Sequence, residues 1–130
     1  MADRTFQPSL TLGGAVRTLD ITFFPNGASN PTTNAWQTRG VSSITRTGTG
    51  TYLITLLDQY LQIKGAFADL AKATATANWA QVGTISNVGT STPVTIVVRT
   101  VDNSGSPVDE AAAATTYVCV SVTFNDNAAW

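Results

Sequence analysis

The stretch TYVCVSVTF, residues 116–124, decides the fold class. Val118, Val120, Val122 and Phe124 fall on one parity, and Tyr117, Cys119 and Ser121 on the other. Side chains along an extended chain point alternately to opposite faces, so a period of two with one apolar parity reads as a half-buried strand. PVTIVVRTV (93–101) repeats the pattern through Val94, Ile96 and Val98. AVRTLDITFF (15–24) does so through Leu19, Ile21 and Phe23, against Thr18, Asp20 and Thr22. VSSITR (41–46) and TYLITLL (51–57) flank a TGTG turn at 47–50. In the second of these, Tyr52, Ile54 and Leu56 share one side, and Thr51, Leu53, Thr55 and Leu57 the other, so either side could meet a core.

Between these strands lie turn-forming clusters. PNGASNPTTN (25–34), NVGTST (87–92) and DNSGSP (102–107) are dense in Pro, Asn, Gly and Ser and read as loops. AQVGTIS (80–86) reads as a strand. Residues 61–74 are ambiguous: Leu61, Ile63, Ala66, Phe67, Leu70 and Ala71 also suit a helix face, but Gly65 and the Thr-Ala alternation that follows favour a strand. Asp58 opens a turn at 58–60. VDEAAAA (108–114) predicts one or two helical turns, with Asp109 and Glu110 at the favourable N-terminal end. Seven or eight short strands separated by turns predict an all-β chain. The expected fold is an antiparallel β-sandwich, jelly-roll-like, or a small β-barrel. Residues 15–130 form its body, and residues 1–14 an extended N-terminal arm, in a single domain.

Composition narrows the function classes. Charged residues are 12% of the 130-residue chain and the formal net charge is -1. Threonine takes over much of the surface role and, being β-branched, suits a pleated face. Arg4, Arg17, Arg39, Arg46, Lys64, Lys72 and Arg99 are scattered and form no basic stripe, so nucleic acid is not an expected partner. No apolar run is long enough to span a bilayer as a helix, and no membrane partner is expected. The opening MADRTFQPSL lacks an apolar signal-peptide core, and Cys119 is a lone cysteine; both point to synthesis in a reducing cytoplasm.

Catalytic equipment is sparse. The chain has no histidine and one cysteine, so neither a tuned acid–base pair nor a zinc site is expected. Cys119, inside an alternating strand, reads as a small packing residue. Asp102, Asn103, Ser104, Asp109 and Glu110 superficially suggest a calcium loop but lack its ligand spacing, and a Gly-Pro turn explains them. TGTGT lacks the lysine and following helix of a phosphate loop. The expectation is a non-enzyme with no cofactor and no metal. Trp36, Trp79 and Tyr60 remain as candidate stacking platforms, which would suit a glycan-binding module.

ITRTGTGTYLITLLDQYLQIKG carries a further signal. Thr47 to Tyr52, Ile54, Thr55, Leu56, Asp58, Tyr60 and Leu61 form a Gly-rich turn, a Thr-Tyr-x-Ile-Thr-Leu strand, an Asp-x-Tyr turn and a Leu-rich segment. With the Val-rich strands and Asp-Ala-Ala stretch downstream, this resembles the small capsid decoration, or cement, proteins of tailed bacteriophages. The resemblance covers about residues 40–125. It implies a virion structural protein, made in the host cytoplasm and located on the outer capsid surface. Its partners would be the major capsid protein and sister copies in a dimer or trimer, and it would stabilise the assembled head by bridging capsid subunits. On that reading the interface residues are Thr5, Phe6, Pro8 and Leu10 of the arm, Trp36 in the loop 25–39, and Trp130. Deleting residues 1–12 is then expected to leave the fold intact and abolish attachment. The alternatives are the glycan-binding module and a low-copy head–tail or tail component.

Overall fold

A computed structural model describes residues 16–34, 37–74 and 76–125. Eight strands make up two four-stranded sheets: β1 (Val16–Asn26), β2 (Ser29–Thr32), β3 (Val41–Gly48), β4 (Thr51–Leu56), β5 (Gln62–Ala71), β6 (Trp79–Ser86), β7 (Thr95–Val101) and β8 (Tyr117–Asn125). The first sheet has the order β2-β1-β8-β5 and the second β3-β4-β7-β6, with antiparallel pairing throughout. The two sheets pack face to face as a β-sandwich, which decides between the sandwich and the barrel.

Except in the short β2, the inward parity of each strand is the apolar one. Ile21 and Phe23 of β1, Tyr52, Ile54 and Leu56 of β4, Ile96 and Val98 of β7, and Val118, Val122 and Phe124 of β8 are fully buried. Each such side chain contributes about 1.5–3 kcal/mol relative to exposure. The undecided register of β4 is therefore settled in favour of Tyr52, Ile54 and Leu56. Phe23 and Tyr52 join the sheets with ring centroids 5.0 Å apart and planes at 54°.

A bulge explains the ambiguous segment. In β5, Ile63 faces Phe124 but Gly65 faces Thr123, so one extra residue is accommodated there. The core-directed residues are then Ile63, Ala66, Ala68 and Leu70. Their spacing of three and then two imitates a helix face in the sequence. In β6 the shift lies between Val82 and Ile85, with the same effect. Phe67, on the opposite parity from Ala66 and Ala68, is left 64% exposed.

The structure departs from the sequence expectation at two places. Ser29–Thr32 is a strand rather than loop, because Gly27, at φ 58°, turns the chain back to pair with β1. Residues 108–114 are not helical. Asp109 and Glu110 find long-range partners there instead of a helix dipole.

Candidate functional site

The segment that leads from β7 back to β8 is fastened at one end of the sandwich. Pro107 forms a bridge with Val101, Val108 N–H donates to Thr100 O at 2.9 Å, and the Thr100 hydroxyl donates to Val108 O at 2.6 Å. Gly50, at φ +57°, lies against this segment. A Cβ there would stand 2.6 Å from Thr100 O, Val108 N and Val108 O, so only glycine fits.

The two acids that follow diverge, as neighbours on an extended chain do. Asp109 accepts two bonds from the Arg46 guanidinium, at 2.9 and 2.7 Å, and one from Gly50 N–H at 2.8 Å. The Arg46 hydrogen bonds hold its carboxyl below the usual aspartate range. Glu110, 4% exposed, accepts from Lys72 Nζ and Asn78 Nδ2, both at 2.6 Å, while its carbonyl accepts from Gly27 N–H at 2.9 Å. All four carboxylate oxygens are thus engaged, an arrangement that ties β3, the β5–β6 connection and the β1–β2 turn to one crossing segment. Beneath it, Tyr52 is buried and its hydroxyl makes no well-formed hydrogen bond among the described residues, although the Thr100 hydroxyl, which donates to Val108 O, lies close enough to favour the phenolate weakly. Burial, and then the Asp109 charge, push the Tyr52 phenol pKa up.

Asp102 is likewise occupied by its own turn. It accepts from Ser104 N–H at 2.9 Å, Ser104 Oγ at 2.7 Å and Ser106 N–H at 3.1 Å, and these bonds, the Ser104 hydroxyl first, lower its pKa. Among the described residues no group of three or more His, Cys, Asp or Glu is placed to hold a metal ion.

At the opposite end, Tyr60 is stacked on Phe124 with centroids 3.9 Å apart and planes at 15°, and is 3% exposed. That corrects its reading as a stacking platform: the ring closes the core and offers no face to a sugar. Trp79 is 43% exposed at the start of β6. Thr5, Phe6, Pro8, Leu10, Trp36 and Trp130 lie outside the described residues.

The outer faces of the sheets are the broadest chemical feature. On the second sheet, cross-strand rows run Thr45–Leu53–Val97 and Ser43–Thr55–Thr95–Ser86, and a third joins Thr51 and Gln81 to Arg99. Arg99 is the one charge in these rows. Val97 is seated over Gly83, where an added Cβ would meet Val97 Cγ1 at 3.5 Å. On the first sheet the rows are Thr18–Thr123, Asp20–Ser121–Phe67 and Thr22–Cys119–Asp69. Thr18 and Thr123 hydroxyls meet at 3.2 Å, and Thr22 Oγ1 lies 3.7 Å from Cys119 Sγ. A groove of about 310 Å³ lies beyond, between Phe24, Pro25 and Thr32 and the run Ala112–Ala114.

The chain matches no family model, no curated protein and no solved structure.

Proposed function

We propose that the protein is a virion structural component, a capsid decoration protein that attaches to the outside of an assembled phage head and bridges its subunits. The observation that carries this reading is the outer face of the second sheet, where serine and threonine surround Leu53 and Val97 and Arg99 is the single charge in the rows. Such a face loses little side-chain entropy on docking, because short β-branched residues have few rotamers to surrender. It also lacks the like charges that keep soluble surfaces apart. Many copies binding only the assembled shell would stabilise it by mass action.

The first test is copy number, by quantitative mass spectrometry of purified virions. A simple ratio to the major capsid protein supports the proposal. A handful of copies per particle favours a head–tail or tail component, and absence from particles overturns the virion reading. Thr45→Lys/Thr55→Lys, which places two charges on the face, is expected to abolish binding to purified heads while leaving the circular dichroism spectrum unchanged. Undiminished binding would remove the face from the interface. The glycan reading retains Trp79 as a platform and loses Tyr60. Unchanged tryptophan emission across a broad polysaccharide panel counts against it.

A further inference from the structure

Glu110 holds two side chains that can react with each other. Its Oε1 accepts from Lys72 Nζ and its Oε2 from Asn78 Nδ2, both at 2.6 Å. Lys72 follows Ala71, the last residue of β5, and Asn78 precedes Trp79, the first residue of β6. One carboxyl thus gathers an amine from the end of a strand in the first sheet and a carboxamide from the start of a strand in the second. An amine can displace ammonia from a carboxamide and leave a secondary amide. We propose that Lys72 and Asn78 become joined by such an isopeptide bond, with Glu110 as the catalytic acid and base, so that the two sheets are stapled across the β5–β6 connection.

The site is organised for that reaction before it begins. Glu110 is 4% exposed, and its backbone carbonyl is fixed by Gly27 N–H at 2.9 Å. Asn78 N–H donates to Thr76 Oγ1 at 3.3 Å, which anchors the carboxamide from its own turn. Lys72 and Asn78 are both partly buried. Reactants held against one group meet without the entropy cost of an encounter, and a site poor in water protects the amine from competing solvation. The neighbouring ion pair lacks these properties. Arg46 stays protonated and has no lone pair to offer, and Asp109 has a backbone N–H, from Gly50, in place of a carboxamide.

The chemistry balances without any co-reactant. One proton moves along the 2.6 Å contact from Lys72 Nζ to the Glu110 carboxylate, turning the ion pair into an amine and a carboxylic acid. Away from water the neutral pair escapes the desolvation cost that two charges carry. A half-turn of the Asn78 carboxamide exchanges its nitrogen and oxygen, so the Glu110 O–H donates to Oδ1 and polarises the carbonyl. The Nζ lone pair then attacks Cγ. Glu110 carries a proton from Nζ to Nδ2, the Cγ–Nδ2 bond breaks and ammonia leaves. One C–N bond forms, one breaks, and nothing is oxidised or reduced. With a single cysteine the chain has no intrachain disulfide, and an amide staple would hold in reducing surroundings.

The inference stands whether or not the chain coats a capsid, and its test needs only the isolated protein. Intact mass spectrometry of the full chain, folded and incubated overnight at neutral pH, is expected to show a mass below that of the sequence by one ammonia, about 17 Da. Trypsin should then fail to cut after Lys72 and release residues 65–99 as one peptide carrying the loss. A chain of full mass would overturn the proposal. So would the same loss with normal cleavage after Lys72, which would mean a succinimide at an asparagine. Lys72→Arg keeps the charge but cannot attack, and Glu110→Gln keeps the size but cannot carry the proton. Both are expected to retain full mass with an unchanged circular dichroism spectrum. A linked peptide in folded Glu110→Gln would overturn the catalytic assignment. Should Glu110→Gln fail to fold, Lys72→Arg and the wild-type peptide map decide.

Discussion

The two ends of the sandwich are closed by different chemistry. At one, Tyr60 lies flat on Phe124 and its carbonyl accepts from Gly89 N–H at 2.8 Å. At the other, an irregular segment crosses between sheets and is held by Arg46–Asp109 and Lys72–Glu110. The difference follows from what each end must satisfy. An aromatic lid only has to exclude water. A crossing segment brings backbone polar groups and carboxylates inside, and each of these needs a partner.

This contrast can be broken at either end. Phe124→Ala removes the floor of the aromatic stack and a core ring, and is expected to cost about 4 kcal/mol in urea denaturation. A loss under about 1 kcal/mol would mean that Tyr60 refills the space. Gly50→Ala attacks the polar end through its backbone, combining a clash with a left-handed φ. Its expected cost is about 3 kcal/mol. Glu110→Ala strands Lys72 and Asn78, and should cost about 3 kcal/mol with a response to salt that Phe124→Ala lacks.

Acid separates the ends more finely. The folded-state pKa of Asp109 is lowered, so its stabilisation is complete above the unfolded value and is lost as pH falls through the folded one. Stability is expected to decline below about pH 4, and Asp109→Asn to flatten that decline. A profile identical to wild type would remove Asp109 from the acid response. The smallest effect is expected from Tyr52→Phe. The hydroxyl it deletes is buried and makes no well-formed hydrogen bond, so thermal denaturation should show a change within about 0.5 kcal/mol, or a gain.

What could be read from the sequence tracks the range of the forces involved. Strands whose alternation is unbroken, such as Thr95–Val101 and Tyr117–Asn125, were legible because their period is local. The bulge at Lys64–Gly65 disguised β5 by turning a two-residue period into a helix-like three, and β2 was hidden by Pro31 and its asparagine neighbour. The role of Asp109 and Glu110 was not legible, because their partners sit 63 and 38 residues away in sequence. Only the fold brings Arg46 and Lys72 to them. Adjacent acids before an alanine run carry a genuine helix signal, and here tertiary pairing overrides it. The exposure of Phe67 became readable only once the bulge fixed which parity of β5 faces out.

The ladder between β1 and β8 has a consequence for how the molecule is made. Val16 pairs with Asn125, and Thr18 meets Thr123 across 105 residues of chain. β5 also pairs with β8, so the first sheet lacks its central strand until the last part of the described chain has been synthesised. Up to that point the β1–β2 and β3–β4 hairpins can form, the latter joined later by β6 and β7, but β1 and β5 lack the strand that pairs with both. Folding should therefore be slow for a chain of this size, as expected where most pairing is distant in sequence, and the first sheet should form only after β8 has been synthesised.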